Sequence, residues 1–369
     1  MDDVWQSLGN PVHIEFTDDW LGTCQDLIKQ KDLSPLWVVT GNMLNRLHLS
    51  PEQLPGSTYC DISPNPDIST LFEKTERLLS LNVDSIFALG GGSVIDTAKF
   101  IKMRLFSGIT EEDRIFEYTQ AFQKTCTFVA LPTTHGSGSE VTKWATIWDK
   151  NNSRKLSLVH EELYPQIALL DPNLTSTLPE DLSLTSTLDS ISHALESMWS
   201  KGHNPISDLH AIEAISICLE NGHRLKADPA NLQTRKMLLY ASTLAGLAFS
   251  RTRTAIAHSI SYPLTLFHDL PHGIASSISL PAILNMYSSE LEGRLNSLLV
   301  RLKVRSTEAL GNLIIDLAQP ELHFSLSKYN LDHQKLDSLV AHCFTKGRSD
   351  NFLYDLNSSI VRDILYASL

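Results

Sequence analysis

An α/β amino-terminal half joined to an all-helical carboxyl-terminal half is the fold class this sequence predicts. Two observations predict it. Before about residue 181, short apolar runs of strand length alternate with segments of helical spacing, and each run ends in glycine or a turn-forming loop. From Leu182 onward the strand-length runs disappear, and long segments with apolar residues spaced three and four apart predominate. The expected division is therefore 1–181 and 182–369, with the join in the turn-rich stretch Asp171-Pro-Asn-Leu-Thr-Ser-Thr-Leu-Pro179. A chain of 369 residues is long enough to bury two cores.

In order, Leu36-Trp-Val-Val-Thr40 is an apolar run closed by Gly41, the profile of a buried parallel strand entering a loop. A polar loop follows around Ser63-Pro-Asn-Pro66, then a helical pattern from Ile68 to Leu81. Ser85-Ile-Phe-Ala-Leu89 is a second buried strand, running into Gly90-Gly-Gly-Ser93 and a helix from Val94 that carries Asp96 and Lys99. Strand, glycine turn and helix N-terminus make a phosphate-binding geometry, since bare N–H groups point outward and the helix dipole favours an anion. Cys126-Thr-Phe-Val-Ala-Leu131 is a third strand, ending in Pro132-Thr-Thr-His-Gly-Ser-Gly-Ser-Glu140, a hydroxyl-rich loop able to wrap a ribose or phosphate. Ile167-Ala-Leu-Leu170 is the last strand before the join. The alternation predicts a parallel sheet with ligands at the carboxyl ends of its strands. An α/β half beside a helical half is expected to leave a cleft, where small-molecule sites commonly lie.

In the second half, helices are expected over Leu184–Trp199, Leu209–Leu219 and Arg235–Gly246. On the first, Asp189 and His193 are four apart and share a face. Carboxylate and imidazole at that spacing form half of a coordination shell for a borderline divalent metal. Standing alone, an Asp-x-x-x-His pair more simply makes a hydrogen bond along its helix. Two later histidines change the weighing: His258, in a helix of small residues, and His272, which follows a loop and precedes Gly273. His160, His203, His210 and His323 offer no partner spacing and read as surface or hydrogen-bonded core residues, whereas His268 lies within the ligand-bearing stretch.

Composition narrows the classes. A net charge of -12 argues against nucleic-acid binding, because nothing basic stands ready to displace counterions from phosphates. No apolar run reaches the length of a membrane span, and the start Met1-Asp-Asp-Val-Trp5 shows no basic, apolar leader. Cys24, Cys60, Cys126, Cys218 and Cys343 are scattered, as reduced cysteines of a cytoplasmic protein would be.

The motifs Asp189-x-x-x-His193, His258 in its small-residue helix, Pro271-His272-Gly273, Gly90-Gly-Gly-Ser-x-x-Asp-x-Ala-Lys99 and Pro132-Thr-Thr-x-Gly-Ser-Gly-Ser-Glu140 follow one another along the chain. In this they resemble the iron-containing (group III) alcohol dehydrogenase family, whose fold is shared with dehydroquinate synthase-like proteins. The resemblance implies an N-terminal dinucleotide-binding domain, a helical metal-binding domain and a homodimer. It further implies one divalent metal on Asp189, His193, His258 and His272, with iron(II) the first expectation and zinc(II) the second. Cofactor contacts are implied at Gly91, Gly92, Ser93, Asp96, Thr133, Thr134 and Lys155, with Ser139 of the second loop placed beside them. The chemistry implied is Lewis-acid polarisation of an aldehyde or alcohol oxygen with hydride exchange at a nicotinamide. Gly41 stands where NAD-preferring relatives often carry an Asp for the ribose 2′-hydroxyl, so the expectation leans to NADPH, with NADH the alternative.

Two positions depart from the family pattern. Tyr262 replaces a further histidine proposed to relay protons, and His135 replaces a small residue, which would narrow the cofactor pocket. The string from Arg253 to Thr265, with Glu196-Ser-Met-Trp-Ser200 upstream, is similar to phosphonoacetaldehyde reductases. Arg251 and Arg253 precede His258 by one to two turns, near enough for a guanidinium to grip an anionic substrate beside the metal. Arg253, Tyr262 and His268 are accordingly the expected substrate contacts, and reduction of phosphonoacetaldehyde to 2-hydroxyethylphosphonate is the expected reaction. Sulfoacetaldehyde is the nearest competitor. A dehydroquinate synthase-like lyase and a binding protein built on a retired dehydrogenase are the other classes. Against the lyase, the lysines and arginines that grip a sugar-acid phosphate are missing near Asp189; against the binding protein, all four ligand positions are intact.

Overall fold

The computed structural model describes residues 9–63, 65–109, 112–152 and 154–369. The opening Met1–Trp5, Pro64 of the first loop and Ser153 beside Lys155 lie outside them. Two compact units emerge: Ser139–Thr177 with the residues up to Thr134 in one, His135–Gly138 and Leu178–Leu369 in the other.

The first unit is built on a six-stranded parallel sheet of order β1-β8-β5-β4-β2-β3. The strands are β1 (His13–Phe16), β2 (Pro35–Val39), β3 (Ser57–Tyr59), β4 (Ser85–Gly90), β5 (Thr127–Pro132) and β8 (Ile167–Leu170). β2, β4 and β5 read as unbroken apolar runs because both of their faces are covered. Leu36, Val38, Ile86, Ala88, Phe128 and Ala130 join one core, with Val94, Ile95, Ala98 and Ile101 of the helix Gly92–Phe106. Their alternates Trp37, Val39, Phe87, Leu89, Val129 and Leu131 point the other way, against Trp20 and Cys24 of the helix Trp20–Lys31. An antiparallel hairpin, β6 (Trp144–Asp149) and β7 (Arg154–Val159), completes the unit. β1, β3 and this hairpin were not expected from the sequence. The helical pattern from Ile68 also runs shorter: the α-helix ends at Thr75 and a 3₁₀ turn covers Glu76–Ser80. There Thr75 Oγ1 donates back to Leu71 O at 2.6 Å, a side-chain bond that competes with helix continuation.

The second unit is helical. Its core helices are α1 (Glu180–Met198), α2 (Pro205–Ala227), α3 (Leu232–Thr252), α4 (Ile256–His268) and α5 (His272–Ser277). α1 is buried on every side from Ser183 to Met198. Leu184, Leu188, Ile191, Leu195 and Met198 enter the apolar core, while Ser183, Ser186, Ser190, Ser192 and Ser197 let neighbouring backbones approach the other faces. Asn204 caps α2 by accepting from Ile206 N and Ser207 N, with Pro205 at the first helical position.

All five cysteines are free, and no helix of the described residues is long and apolar enough to cross a membrane.

Candidate metal centre

The centre lies wholly in the helical unit. Asp189 and His193 project from the buried middle of α1, one turn apart, with His193 Nδ1 3.9 Å from Asp189 Oδ1. His258 comes from the first turn of α4 and His272 from the first residue of α5. Asp189, His258 and His272 each offer a ligand atom, all within 4.8 Å of one another. Nε2 of His258 and Nε2 of His272 both lie 3.8 Å from Asp189 Oδ1. His193 joins through its Nε2, 3.0 Å from Nε2 of His258. Two imidazole nitrogens held at about 2.1 Å from one ion stand roughly 3.0–3.4 Å apart, so the pair faces one shared point.

What lies behind each ligand decides whether the set fits a cation. His258 Nδ1 is 2.6 Å from Glu196 Oε2, and His193 Nδ1 is 3.2 Å from Gly136 O. Both outer nitrogens therefore donate away from the centre, leaving the Nε2 lone pairs inward, which is the tautomer a metal needs. Asp189 Oδ1 accepts from Ser276 Oγ at 2.8 Å, which orients the carboxylate. Phe249 of α3 stacks on His193 with ring centroids 4.3 Å apart, fixing the ring plane. Three imidazoles and one carboxylate, with His258, His193 and Asp189 braced from outside, suit a borderline divalent ion.

Glu196 is the residue that sequence reasoning passed over. It is fully buried, and burial pushes its carboxyl up to about 7 against hydrogen bonds from backbone N–H groups. Oε1 accepts from Ala257 N at 2.6 Å, while Oε2 takes His258 Nδ1 and, at 3.3 Å, His258 N. The signal was present: Asp189, His193 and Glu196 stand at i, i+4 and i+7, one face of one helix. The glycine of Pro271-His272-Gly273 also has a reason, because a Cβ there would run into the carbonyl oxygen of Thr185 on α1. Only glycine lets α5 bring His272 this close to Asp189.

The first unit holds the residues expected at a cofactor. Gly91 caps the helix Gly92–Phe106, which begins directly after β4 and has no side-chain cap, so its first N–H groups keep the anion-binding arrangement. A Cβ on Gly91 would meet only the Thr134 side chain, at 3.1 Å. Gly92 and Ser93 open the same turn and are partly exposed, while Thr133 is buried. Asp96 commits both oxygens internally, accepting from Ser139 Oγ at 2.7 Å and Thr146 N at 2.8 Å. Ser139 is buried and also accepts from Lys99 Nζ at 2.9 Å, so it positions the loop within the unit. Burial pulls that ammonium down to about 8, with Asp96 opposing the shift. Lys155 stands on β7 opposite Trp148, close enough to act electrostatically on Asp96. Gly41 is exposed at the start of the helix Gly41–Arg46, capped by Thr40, with nothing within 4 Å of where a Cβ would stand.

Two family profiles match the chain: one described as "Fe-containing alcohol dehydrogenase family, C-terminal" over residues 183–369, and one described as "Iron-containing alcohol dehydrogenase" over 11–172. The chain belongs to the iron-containing alcohol dehydrogenase family. An aldehyde-alcohol dehydrogenase of Streptococcus pneumoniae is 31% identical over 76% of the chain, which spans 33% of that longer protein. A sulfoacetaldehyde reductase of Bilophila wadsworthia is 30% identical over 60% of the chain and 57% of its own length. Among solved structures, sulfoacetaldehyde reductase from Bifidobacterium kashiwanohense in complex with NAD+ superposes with a TM-score of 0.88 at 26% identity, covering 98% of this chain and 97% of that one.

Within this iron-containing alcohol dehydrogenase fold, the placements expected for Arg253 and His268 are corrected. Arg253 does not precede His258 on one helix: α3 ends at Thr252 and α4 begins at Ile256, with Arg253 between them at φ 63° and ψ 171°. That backbone region is left almost entirely to glycine and costs a side-chain-bearing residue about 1–3 kcal/mol. His268 closes α4 ten residues after His258, roughly 15 Å along the helix, and makes no hydrogen bond or ring contact to the centre among the described residues. His135 is fully buried in the helical unit beside α1, 3.5 Å from Thr187 Oγ1. Burial and Arg235 hold its imidazole neutral down to about 3. Tyr262, expected near substrate, is buried one turn after His258, and its Oη accepts from Arg348 Nε at 3.3 Å.

Proposed function

We propose that this protein is a metal-dependent, NAD(P)H-linked reductase of a small aldehyde carrying an anionic head, a phosphonate or sulfonate. The observation that carries it is the convergence of Asp189, His193, His258 and His272, with Arg348 hydrogen-bonded to Tyr262, one helical turn after the third of them. When bound, a divalent ion polarises an aldehyde carbonyl and a nicotinamide cofactor supplies the hydride. The chain's own work is to prepare the seats for both. Glu196 and Gly136 O hold the outer protons of His258 and His193, so that neither ring turns an N–H into the centre. Ser276 keeps Asp189 Oδ1 aimed inward. The uncapped turn at Gly91 offers its backbone donors to a pyrophosphate, and the open position at Gly41 places no carboxylate against a 2′-phosphate. Oxidation of either reduced nicotinamide is therefore expected, with NADPH favoured.

The names of two relatives, both sulfoacetaldehyde reductases, support a sulfonate head, whereas the phosphonate head rests on the sequence resemblance. Steady-state cofactor oxidation with phosphonoacetaldehyde, sulfoacetaldehyde and propanal separates the readings. The expected result is stoichiometric cofactor turnover, with kcat/KM for at least one anionic aldehyde about tenfold or more above propanal, the worth of one charge-assisted hydrogen bond. Equal use of all three would refute the anionic substrate. Absence of net cofactor turnover would point instead to a lyase that recycles its nicotinamide.

A further inference from the structure

The turn Thr345–Asn351 is tied to the ligand-bearing helix α4 and to the segment that precedes it. Ser259 Oγ, next to His258, donates to Cys343 O at 2.6 Å and accepts from Thr345 N at 3.0 Å. Asn351 Nδ2 donates to Thr252 O at 2.8 Å and Thr254 O at 3.0 Å, the two carbonyls that flank Arg253. One turn thus clamps the strained arginine and delivers a second one, Arg348.

Arg348 Nε donates to Tyr262 Oη at 3.3 Å, and its Nη1 donates to Gly347 O at 2.9 Å. Gly347 has φ +78°, and Arg253 Nη1 lies 3.5 Å from where a Cβ on Gly347 would stand. The two arginines therefore meet around one glycine. No carboxylate pairs with Arg348 among the described residues; the adjacent Asp350 accepts instead from Gly347 N at 2.6 Å. Helical side chains lean toward the helix N-terminus, so Tyr262 covers the turn that carries His258 and links Arg348 to that turn.

We infer that Arg348 and Arg253 form the seat of the substrate's anionic head, with Tyr262 and Asn351 as positioning residues. Two planar forks of N–H donors match the oxygens of a sulfonate or phosphonate. The inference rests on the reading of the chain as a reductase of an anionic aldehyde.

The test compares the metal-loaded wild-type enzyme with Arg348→Ala, Arg348→Lys and Tyr262→Phe. It reads kcat/KM for sulfoacetaldehyde, phosphonoacetaldehyde and propanal, and the inhibition constants of ethanesulfonate and ethylphosphonate. In Arg348→Ala, the ratio of anionic to uncharged kcat/KM should fall about 10- to 100-fold, through KM, with the inhibition constants rising by the same factor. Arg348→Lys should recover part of the ratio, and Tyr262→Phe should lose a smaller part. An Arg348→Ala enzyme with wild-type ratio and inhibition constants overturns the seat, as does an equal loss on all three aldehydes. If that variant does not fold, unchanged ratios in the other two overturn it equally. A wild-type enzyme indifferent to the head group sinks the functional reading, and the inhibitors still decide the seat: failure of both to compete overturns it. The stronger of the two inhibitors identifies the head group.

Discussion

Replacing His258 by alanine will strip the metal from the enzyme and lower kcat/KM by at least about 10³-fold, the rate equivalent of the several kcal/mol a Lewis acid contributes. The reason is position. His258 Nε2 is 3.0 Å from Nε2 of His193 and 3.8 Å from Asp189 Oδ1, so it touches two of its three companions. Its loss also leaves Glu196 fully buried without the imidazole N–H that it accepts. Elemental analysis after dialysis, read beside steady-state rates, checks both parts. Full metal content with near wild-type rates would remove His258 from the centre.

Glu196→Gln should weaken metal affinity about 10- to 100-fold while preserving side-chain shape. Glu196 accepts on both oxygens, from Ala257 N on one and from His258 Nδ1 and N on the other. A carboxamide can accept on only one side, and its NH₂ must face a donor on the other. Either the backbone N–H of Ala257 is orphaned, or His258 shifts its proton to Nε2 and turns an N–H on the metal. The first costs about 1–3 kcal/mol of stability; the second costs ligation. Competition against a chelator of known affinity measures the loss, with thermal unfolding of metal-free samples reporting the stability part. Unchanged affinity and unchanged unfolding would show that Glu196 does not set the tautomer.

The legible parts of this fold share one physical property: burial on both faces. β2, β4 and β5 read directly from sequence because their apolar side chains, on either face, enter a core. β1 and β3 did not, since edge strands of three or four residues are half exposed and pair with partners remote in sequence, His13 with Ile167 and Leu36 with Ser57. At the site, Asp189 and His193 were legible because helical spacing alone brings them together. His258 and His272 required the motif, since only the packing of α4 and α5 on α1 delivers them. Arg253 was placed on the wrong kind of element because no local rule anticipates an arginine at φ 63°; its conformation is held by Asn351, almost a hundred residues on. For the same reason Arg348 stayed hidden, its partner Tyr262 lying 86 positions away.

The most direct test is an anomalous difference map from crystals of the purified enzyme, with data collected on either side of the iron edge and of the zinc edge. The account predicts one peak per chain, enclosed by Asp189, His193, His258 and His272, that appears above one of the two edges and vanishes below it. An active crystal form with no anomalous peak among those four side chains would contradict it.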